Sequence, residues 1–239
     1  MRAMILAAGR GERMRPLTDH TPKPLLEAGG AALIEHGIRR LHAAGYQEIV
    51  INVAHLGERI VERIGDGSRF GVGIRYSREP AGALETAGGI REVLDWLGPG
   101  PFLAINADIW CDHPLTPPAL GDETLAHLVL VDNPAHHPAG DFALNGSRVA
   151  LAGTRRYTFS GIGWYRPELF AALPRGRSPL APVLRSAIAA GAVGGEHYRG
   201  TWVDVGTPER LRALDVALRT EAGPTDGQKK PGLRRVNAP

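Results

Sequence analysis

The chain has 239 residues, 43% of them hydrophobic and 22% charged, which suits one well-buried core with at most a small appendage. A single cysteine, Cys111, excludes an internal disulfide framework or cysteine-rich zinc site, and with neither a membrane-length apolar run nor a signal-peptide pattern a cytoplasmic protein is expected. The net charge of +3 is matched by residues 223–239 alone, where Lys229, Lys230, Arg234 and Arg235 stand against Asp226; that Gly/Pro-rich stretch reads as a disordered tail, and the neutral remainder argues against a nucleic-acid partner.

Taken in order, the chain alternates strands and helices. Ala3–Leu6 is an apolar run too short for a helix and ended by glycine, hence a buried strand. Leu33, Ile34, Ile38 and Leu41 keep helical spacing up to Gly45, a C′ glycine, although no Ser or Thr caps the start. A strand over Glu48–Val53 follows, then a short helix marked by Ile60, Val61 and Ile64 and closed by Gly65-Asp66-Gly67. Val72–Tyr76 is a third strand, Ile90, Val93, Leu94 and Leu97 mark another helix, and Phe102–Asn106 is a fourth strand. This rhythm predicts an α/β fold, a mainly parallel sheet with helices on both faces. From about residue 111 it breaks. A Pro-rich loop covers 112–122, and short strands at Leu125–Val131, Phe142–Leu144, Arg148–Leu151 and Thr158–Tyr165 suggest a mixed sheet edge or lid-like part. Ser178-Pro179 and Thr207-Pro208 each set an N-cap residue before a proline at N1, so a helix opens at both.

The loop after the first strand carries the strongest chemical signal. Gly9 and Gly11 let the backbone turn sharply and bring its N–H groups close to a ligand. Arg13, Arg15 and Lys23 add cationic donors, and Pro22 and Pro24 hold Lys23 in extended backbone. Backbone amides, guanidinium and ammonium together describe a polyphosphate cradle. A Walker loop is excluded, because no Lys-Ser/Thr follows the last glycine. A dinucleotide fingerprint needs a third glycine where Met14 stands and an acidic residue closing the second strand, where Val53 stands.

Two carboxylates complete the pattern. Asp108 lies just past an apolar strand, and Asp204 sits within Trp202-Val203-Asp204-Val205-Gly206, another apolar stretch. Two such charges 4 Å apart repel by about 4 kcal/mol at an effective dielectric of 20. A positive partner must offset that, and Mg²⁺ suits hard oxygen ligands and substrate phosphates.

From Leu6 to Leu25, Leu-Ala-Ala-Gly-x-Gly-x-Arg-Met-x-Pro-Leu-Thr followed by Pro-Lys-Pro-Leu resembles the opening of the sugar-1-phosphate nucleotidylyltransferases. The resemblance implies their Rossmann-like fold, a mixed but mainly parallel central sheet flanked by helices, with a lid-like sugar-binding part. It implies a single domain over 1–222, a nucleotide-binding half at 1–110 and a sugar-binding half at 111–222. In that family Arg13 would stabilise the leaving pyrophosphate and Lys23 would bridge phosphates. Leu6, Ala7, Ala8, Gly9, Gly11 and Glu12 would hold the nucleotide together with Glu79, Ala83, Gly88 and Asn106, and Asp108 and Asp204 would hold Mg²⁺. The implied partners are a nucleoside triphosphate and a sugar 1-phosphate.

The chain departs from the common family form in three places: Glu85 and Ala107 each replace a glycine, and the Glu-Lys-Pro lysine that usually meets the sugar phosphate is missing before Thr158. Arg155 and Arg156 are the candidates to replace it. These departures, with Leu84-Glu85-Thr86, Gly140-Asp141-Phe142 and Glu196-His197-Tyr198-Arg199-Gly200, resemble the N-acetylmuramate-1-phosphate uridylyltransferase branch, which implies UTP as donor. In that branch Asn106, Trp110, Asp141 and Thr158 would meet the sugar. Adjacent His136 and His137 would point oppositely in a strand, so they are expected as loop residues rather than a metal pair.

Overall fold

Ala3 and Ile5 turn to one face of the central sheet and Met4 to the other, all three fully buried. The strand that carries them, β1 (Arg2–Leu6), therefore lies at the middle of the molecule, as its unbroken apolar run requires. The computed structural model describes residues 1–80 and 84–221; Ala83 and the tail read as disordered lie outside the described residues. After β1 come a hairpin of β2 (Glu27–Ala28) and β3 (Ala31–Ala32), α1 (Leu33–Ala43), β4 (Glu48–Val53), α2 (Gly57–Ile64) and β5 (Gly73–Arg78). Then follow α3 (Glu85–Glu92), α4 (Leu94–Leu97), β6 (Phe102–Asn106), β7 (Ile109–Cys111), β8 (Ala126–Val131), β9 (Phe142–Asn145), β10 (Arg148–Ala150) and β11 (Arg156–Tyr165). The chain continues through α5 (Glu168–Ala171), α6 (Leu180–Ala189), β12 (Val193–Tyr198), β13 (Trp202–Asp204) and α7 (Pro208–Glu221).

Among the described residues nine strands form one sheet, in the order β5-β4-β1-β6-β11-β8-β12-β10-β9. The first four are parallel, as the alternating rhythm predicts. Beyond β6 the sheet is mixed: β11 runs antiparallel to both β6 and β8, while β12 is parallel to β8. The second half thus extends the same sheet, and parallel pairing dominates only the first half. The connections from β1 leave toward β4 on one side and return to β6 on the other. That reversal opens a crevice at the carboxyl ends of β1 and β6, where ligands of open α/β sheets bind.

Local chemistry explains most boundaries. Gly45 has φ +87°, and the Tyr46 and Gly45 N–H groups donate to Leu41 and His42 carbonyls at 2.9 Å each, a Schellman closure of α1. Thr207 Oγ1 accepts the Arg210 N–H at 3.4 Å, so Thr207-Pro208 opens α7 as predicted. Ser178 does not cap α6. Its N–H donates to Leu84 O and its carbonyl accepts the Gly88 N–H, and the helix starts at Leu180 behind an extended Pro179. The helix expected to carry Ile90 through Leu97 is broken at Val93 into α3 and α4. Strand β12 was not expected, because Gly194-Gly195 reads as turn. A Cβ at Gly195 would meet Val149 Cγ2 at 2.6 Å and Leu128 O at 2.9 Å, so close strand approach requires that glycine.

Two apolar layers flank the sheet, one with α1 and α2, the other with α3 to α6. A third cluster of Met14, Leu26, Leu33, Val205, Leu211 and Leu214 joins α7 to the first loop. Burying each such Leu, Val or Met side chain is worth about 1.5–3 kcal/mol, which clamps the C-terminal helix against the N-terminal cradle.

Candidate active site

Gly11 sits at φ +65°, with its carbonyl accepting Met14 N–H at 2.9 Å and Thr18 Oγ1–H at 2.9 Å. That left-handed turn folds the loop back against Lys23, whose Cβ would lie 3.0 Å from any Cβ added at Gly11. Lys23 opens a single 3-10 turn over Lys23–Leu25 behind an extended Pro22, so the extended backbone expected for Lys23 itself is replaced by a turn. The turn closes through Leu26 N–H to Lys23 O at 3.1 Å and buries the lysine, which is 7% exposed. A buried ammonium needs an anion. Lys23 Nζ donates to Asp108 Oδ2, across from the end of β6.

The register of the sheet brings the acids together. Ala107 N–H donates to Leu6 O at 3.0 Å, tying the end of β6 to the end of β1. Strand β7, which the sequence did not announce, pairs antiparallel with β13 so that Asp204 lies opposite Ile109. Val205 N–H then donates to Asp108 O at 3.0 Å, which sets Asp108, in the turn between β6 and β7, beside the end of β13 that carries Asp204. Asp204 Oδ2 accepts Arg210 Nη1–H at 2.7 Å, with His136 Nε2 3.3 Å away. Burial and then the neighbouring Arg210 guanidinium push the His136 pKa below its usual value. Arg210 Nη1 also lies 2.8 Å from His136 Nε2.

Lys23 and Asp108 border a cleft of about 600 Å³, within the range of small-ligand sites. Leu6, Ala7, Ala8, Gly9, Gly11, Glu12, Arg13, Lys23, Glu79, Asn106 and Asp108 all line it, as do Arg10, Asn52, Glu85, Thr86 and Gly206. A Cβ at Gly9 would meet nothing within 4 Å, so its backbone faces open space. Asn52 was missed, although a polar residue inside Ile49-Val50-Ile51-Asn52-Val53 is the kind of interruption that signals a role. Its Oδ1 accepts Ala7 N–H at 2.8 Å and its Nδ2 donates to Glu79 Oε1 at 2.7 Å. Glu79 Oε2 in turn accepts Leu84 N–H at 2.7 Å, linking the first loop to the segment after β5.

Other expected residues do not line that cleft. Gly88 is buried in α3, where a Cβ would meet Gly176 O at 2.3 Å, so helix-to-loop packing accounts for it. Trp110 packs with Val203 and Leu218 in the third apolar cluster. Thr158 is buried and its hydroxyl donates to Asn133 Oδ1 at 3.0 Å. Asp141 Oδ2 accepts Phe159 N–H at 2.8 Å and its Oδ1 meets His137 Nε2 at 3.1 Å. Asp204 is absent from the lining as well, although Gly206, two residues on, is part of it. Arg156 donates to the Asp141 carbonyl and Arg155 to Asp132 Oδ1 at 2.9 Å, so neither candidate for the missing lysine reaches the cleft. His137 is a loop residue as expected; His136 reaches Asp204, which its sequence position did not announce. Cys111 is fully buried, and burial pushes its thiol up to about 11.

Residues 2–122 match the family model described as nucleotidyl transferase. The chain is 51% identical to the N-acetylmuramate alpha-1-phosphate uridylyltransferase of Neisseria meningitidis serogroup B, over 89% of this chain and 96% of that one. It is 34% identical to the enzyme of the same name from Caulobacter vibrioides, over 90% and 96%. The fold matches a solved structure described as a glucose-1-phosphate thymidylyltransferase from Bacillus anthracis with a TM-score of 0.81, at 22% identity and covering 95% of this chain and 98% of that one. No helix among the described residues is long and apolar enough to cross a membrane.

Proposed function

Because the chain belongs to the nucleotidyl transferase family, we propose that it transfers the uridylyl group of UTP to N-acetylmuramate 1-phosphate. The products are the UDP-sugar and pyrophosphate, a reaction that salvages a cell-wall sugar and whose substrates belong to the cytoplasm. The observation that carries this reading is the convergence of Arg13, Lys23 and Asp108 on one cleft, with Asp204 on the strand beside Asp108.

An oxygen of the sugar 1-phosphate attacks the α-phosphorus of UTP. The new P–O bond forms as the bond to the β-phosphate bridging oxygen breaks, and pyrophosphate leaves with that electron pair. The attacking oxygen is already anionic at neutral pH, so no general base is required; alignment and charge neutralisation are what the site must supply. Lys23, anchored by Asp108, presents a fixed ammonium to the phosphates. Arg13 stands on the exposed rim of the loop, free to follow the pyrophosphate as it departs. The open backbone at Gly9 admits the phosphate chain, and the Ala7–Asn52–Glu79–Leu84 relay holds both walls of the nucleotide half in register.

Among the described residues no three His, Cys, Asp or Glu side chains are grouped to hold a metal by themselves. The carboxylates of Asp108, in the turn after β6, and Asp204, on β13, nevertheless suit Mg²⁺, which keeps several waters and completes its shell with phosphate oxygens. Asp108 and Asp204 would hold it, and when bound it neutralises charge on the α-phosphate and the sugar phosphate. In the sugar half Asp141 and Thr158 act by fixing the loop over 132–141, whereas Asn106, at the end of β6 in the first half, lines the cleft itself. A pairwise panel of nucleoside triphosphates and sugar 1-phosphates, read by pyrophosphate release, tests the assignment. UTP with N-acetylmuramate 1-phosphate is expected to be fastest; a faster rate for GTP with mannose 1-phosphate would overturn the substrate while leaving the chemistry standing.

A further inference from the structure

Arg210 stands in the first turn of α7, where the positive end of the helix dipole disfavours a cation. Helix stability alone does not explain a guanidinium there. Its side chain is 19% exposed, and both of its hydrogen bonds to Asp204 and His136 leave from Nη1. Among the described residues Nη2 and Nε donate to no protein group. Nη2 lies directly over Gly206, where a Cβ would meet it at 2.2 Å, and Gly206 lines the cleft. The glycine of the Trp-x-Asp-x-Gly stretch thus leaves room for this guanidinium directly behind the cleft wall.

The chain lacks the Glu-Lys-Pro lysine, and Arg155 and Arg156 are committed elsewhere. Mg²⁺ held by Asp108 and Asp204 would offset part of the charge of a dianionic sugar phosphate, and a cationic side chain beside Asp204 would supply the directional donors that the missing lysine does not. Lys23 is already engaged with Asp108. We infer that Arg210 is the residue that binds the phosphate of the sugar 1-phosphate, its uncommitted Nη2 and Nε forming the two-pronged donor that a phosphate accepts. Planar N–H donors of this kind match two phosphate oxygens, which a lysine cannot do. The inference rests on the transferase reading of the cleft and assigns the acceptor phosphate within it.

Two variants test it. Arg210→Ala is expected to raise KM for N-acetylmuramate 1-phosphate at least about tenfold while KM for UTP changes less than about twofold, on the scale of a lost charge-assisted hydrogen bond. Gly206→Ala leaves the arginine in place but pushes its far end away, and it is expected to reproduce the same selective rise. Calorimetric titration of the sugar phosphate into protein holding Mg²⁺ and a non-hydrolysable UTP analogue is expected to show matching losses of affinity. Arg210→Lys is expected to recover part of the affinity, since charge returns without the fork. If Arg210→Ala instead raises the Mg²⁺ concentration needed for half-activity and leaves sugar-phosphate affinity unchanged, the arginine only positions Asp204 and the inference is overturned. Failure of the wild-type protein to release pyrophosphate from any such pair would overturn the transferase reading itself, a separate result.

Discussion

The two halves of this sheet use polar residues in opposite ways. In the first half Gly9, Arg13, Lys23, Glu79 and Asn106 sit at strand ends and in the loops after them, and all border the cleft. In the second half Asp141 and Thr158 bond to neighbouring protein groups instead, tying the 132–141 loop, through Asp141 and Asn133, to β11. A parallel βαβ arrangement aims its loops at one crevice, so polar residues in those loops become ligand groups by topology. Antiparallel strands with short connections give no such common edge, and polar residues there first satisfy the backbone around them.

The sharpest way to break this contrast is Lys23→Ala. Loss of a buried ammonium from the phosphate cradle is expected to lower kcat/KM by about 10²–10³, read by pyrophosphate release. Arg13→Ala, at an exposed rim position, is expected to cost about tenfold or somewhat more on the same assay. Losses under tenfold in both would erase the functional distinction between the halves. Thr158→Val tests the other side. Removing its hydroxyl leaves Asn133 Oδ1 short of a donor and is expected to cost about 1–3 kcal/mol of stability in urea titration, with KM for the sugar phosphate within twofold. A large KM change with unchanged stability would make Thr158 a substrate contact after all.

The second half carries a pH dependence of its own. The imidazoles of His113 and then His127, each with Nε2 3.4 Å from Glu196 Oε1, hold the Glu196 carboxyl down to about 2, against an ordinary 4.5. A depressed carboxylate stabilises the fold fully above its unfolded value and loses that contribution as pH falls from about 4.5 toward 2. The midpoint of thermal unfolding is therefore expected to fall over that window, and less steeply in Glu196→Gln. Identical slopes would show that this cluster plays no part. The smallest effect is expected at Glu85, which stands at φ +57° on the cleft wall and pairs with Arg177 at 2.7 Å. Glu85→Gly relieves the left-handed strain and is expected to leave stability unchanged or raised by up to about 1 kcal/mol; a clear loss would show that the Arg177 pair outweighs the strain.

The same contrast explains what the sequence reveals. The parallel strands were legible because both faces are buried and the apolar runs are continuous, and the cradle was legible because Gly11 and Lys23 fold one contiguous segment. Strand β12 was not, because the glycines that let it approach Val149 and Leu128 read locally as a turn. Nor was the setting of Asp204. Its neighbour Asp108 is reached through the β7–β13 pairing, and Arg210 and His136 arrive from 6 and 68 positions away in the chain, so no local pattern joins them. Glu85 was visible as a departure from the family's glycine, but its retained left-handed backbone was visible only in the fold.

The account depends most on the paired aspartates. Rates of Mg²⁺-dependent pyrophosphate release from UTP and N-acetylmuramate 1-phosphate, compared for wild type, Asp108→Asn and Asp204→Asn at equal folded fractions, test it most directly. Each substitution is expected to reduce the rate by at least about 10². Turnover near the wild-type rate in both would contradict the shared site at the ends of β6 and β13.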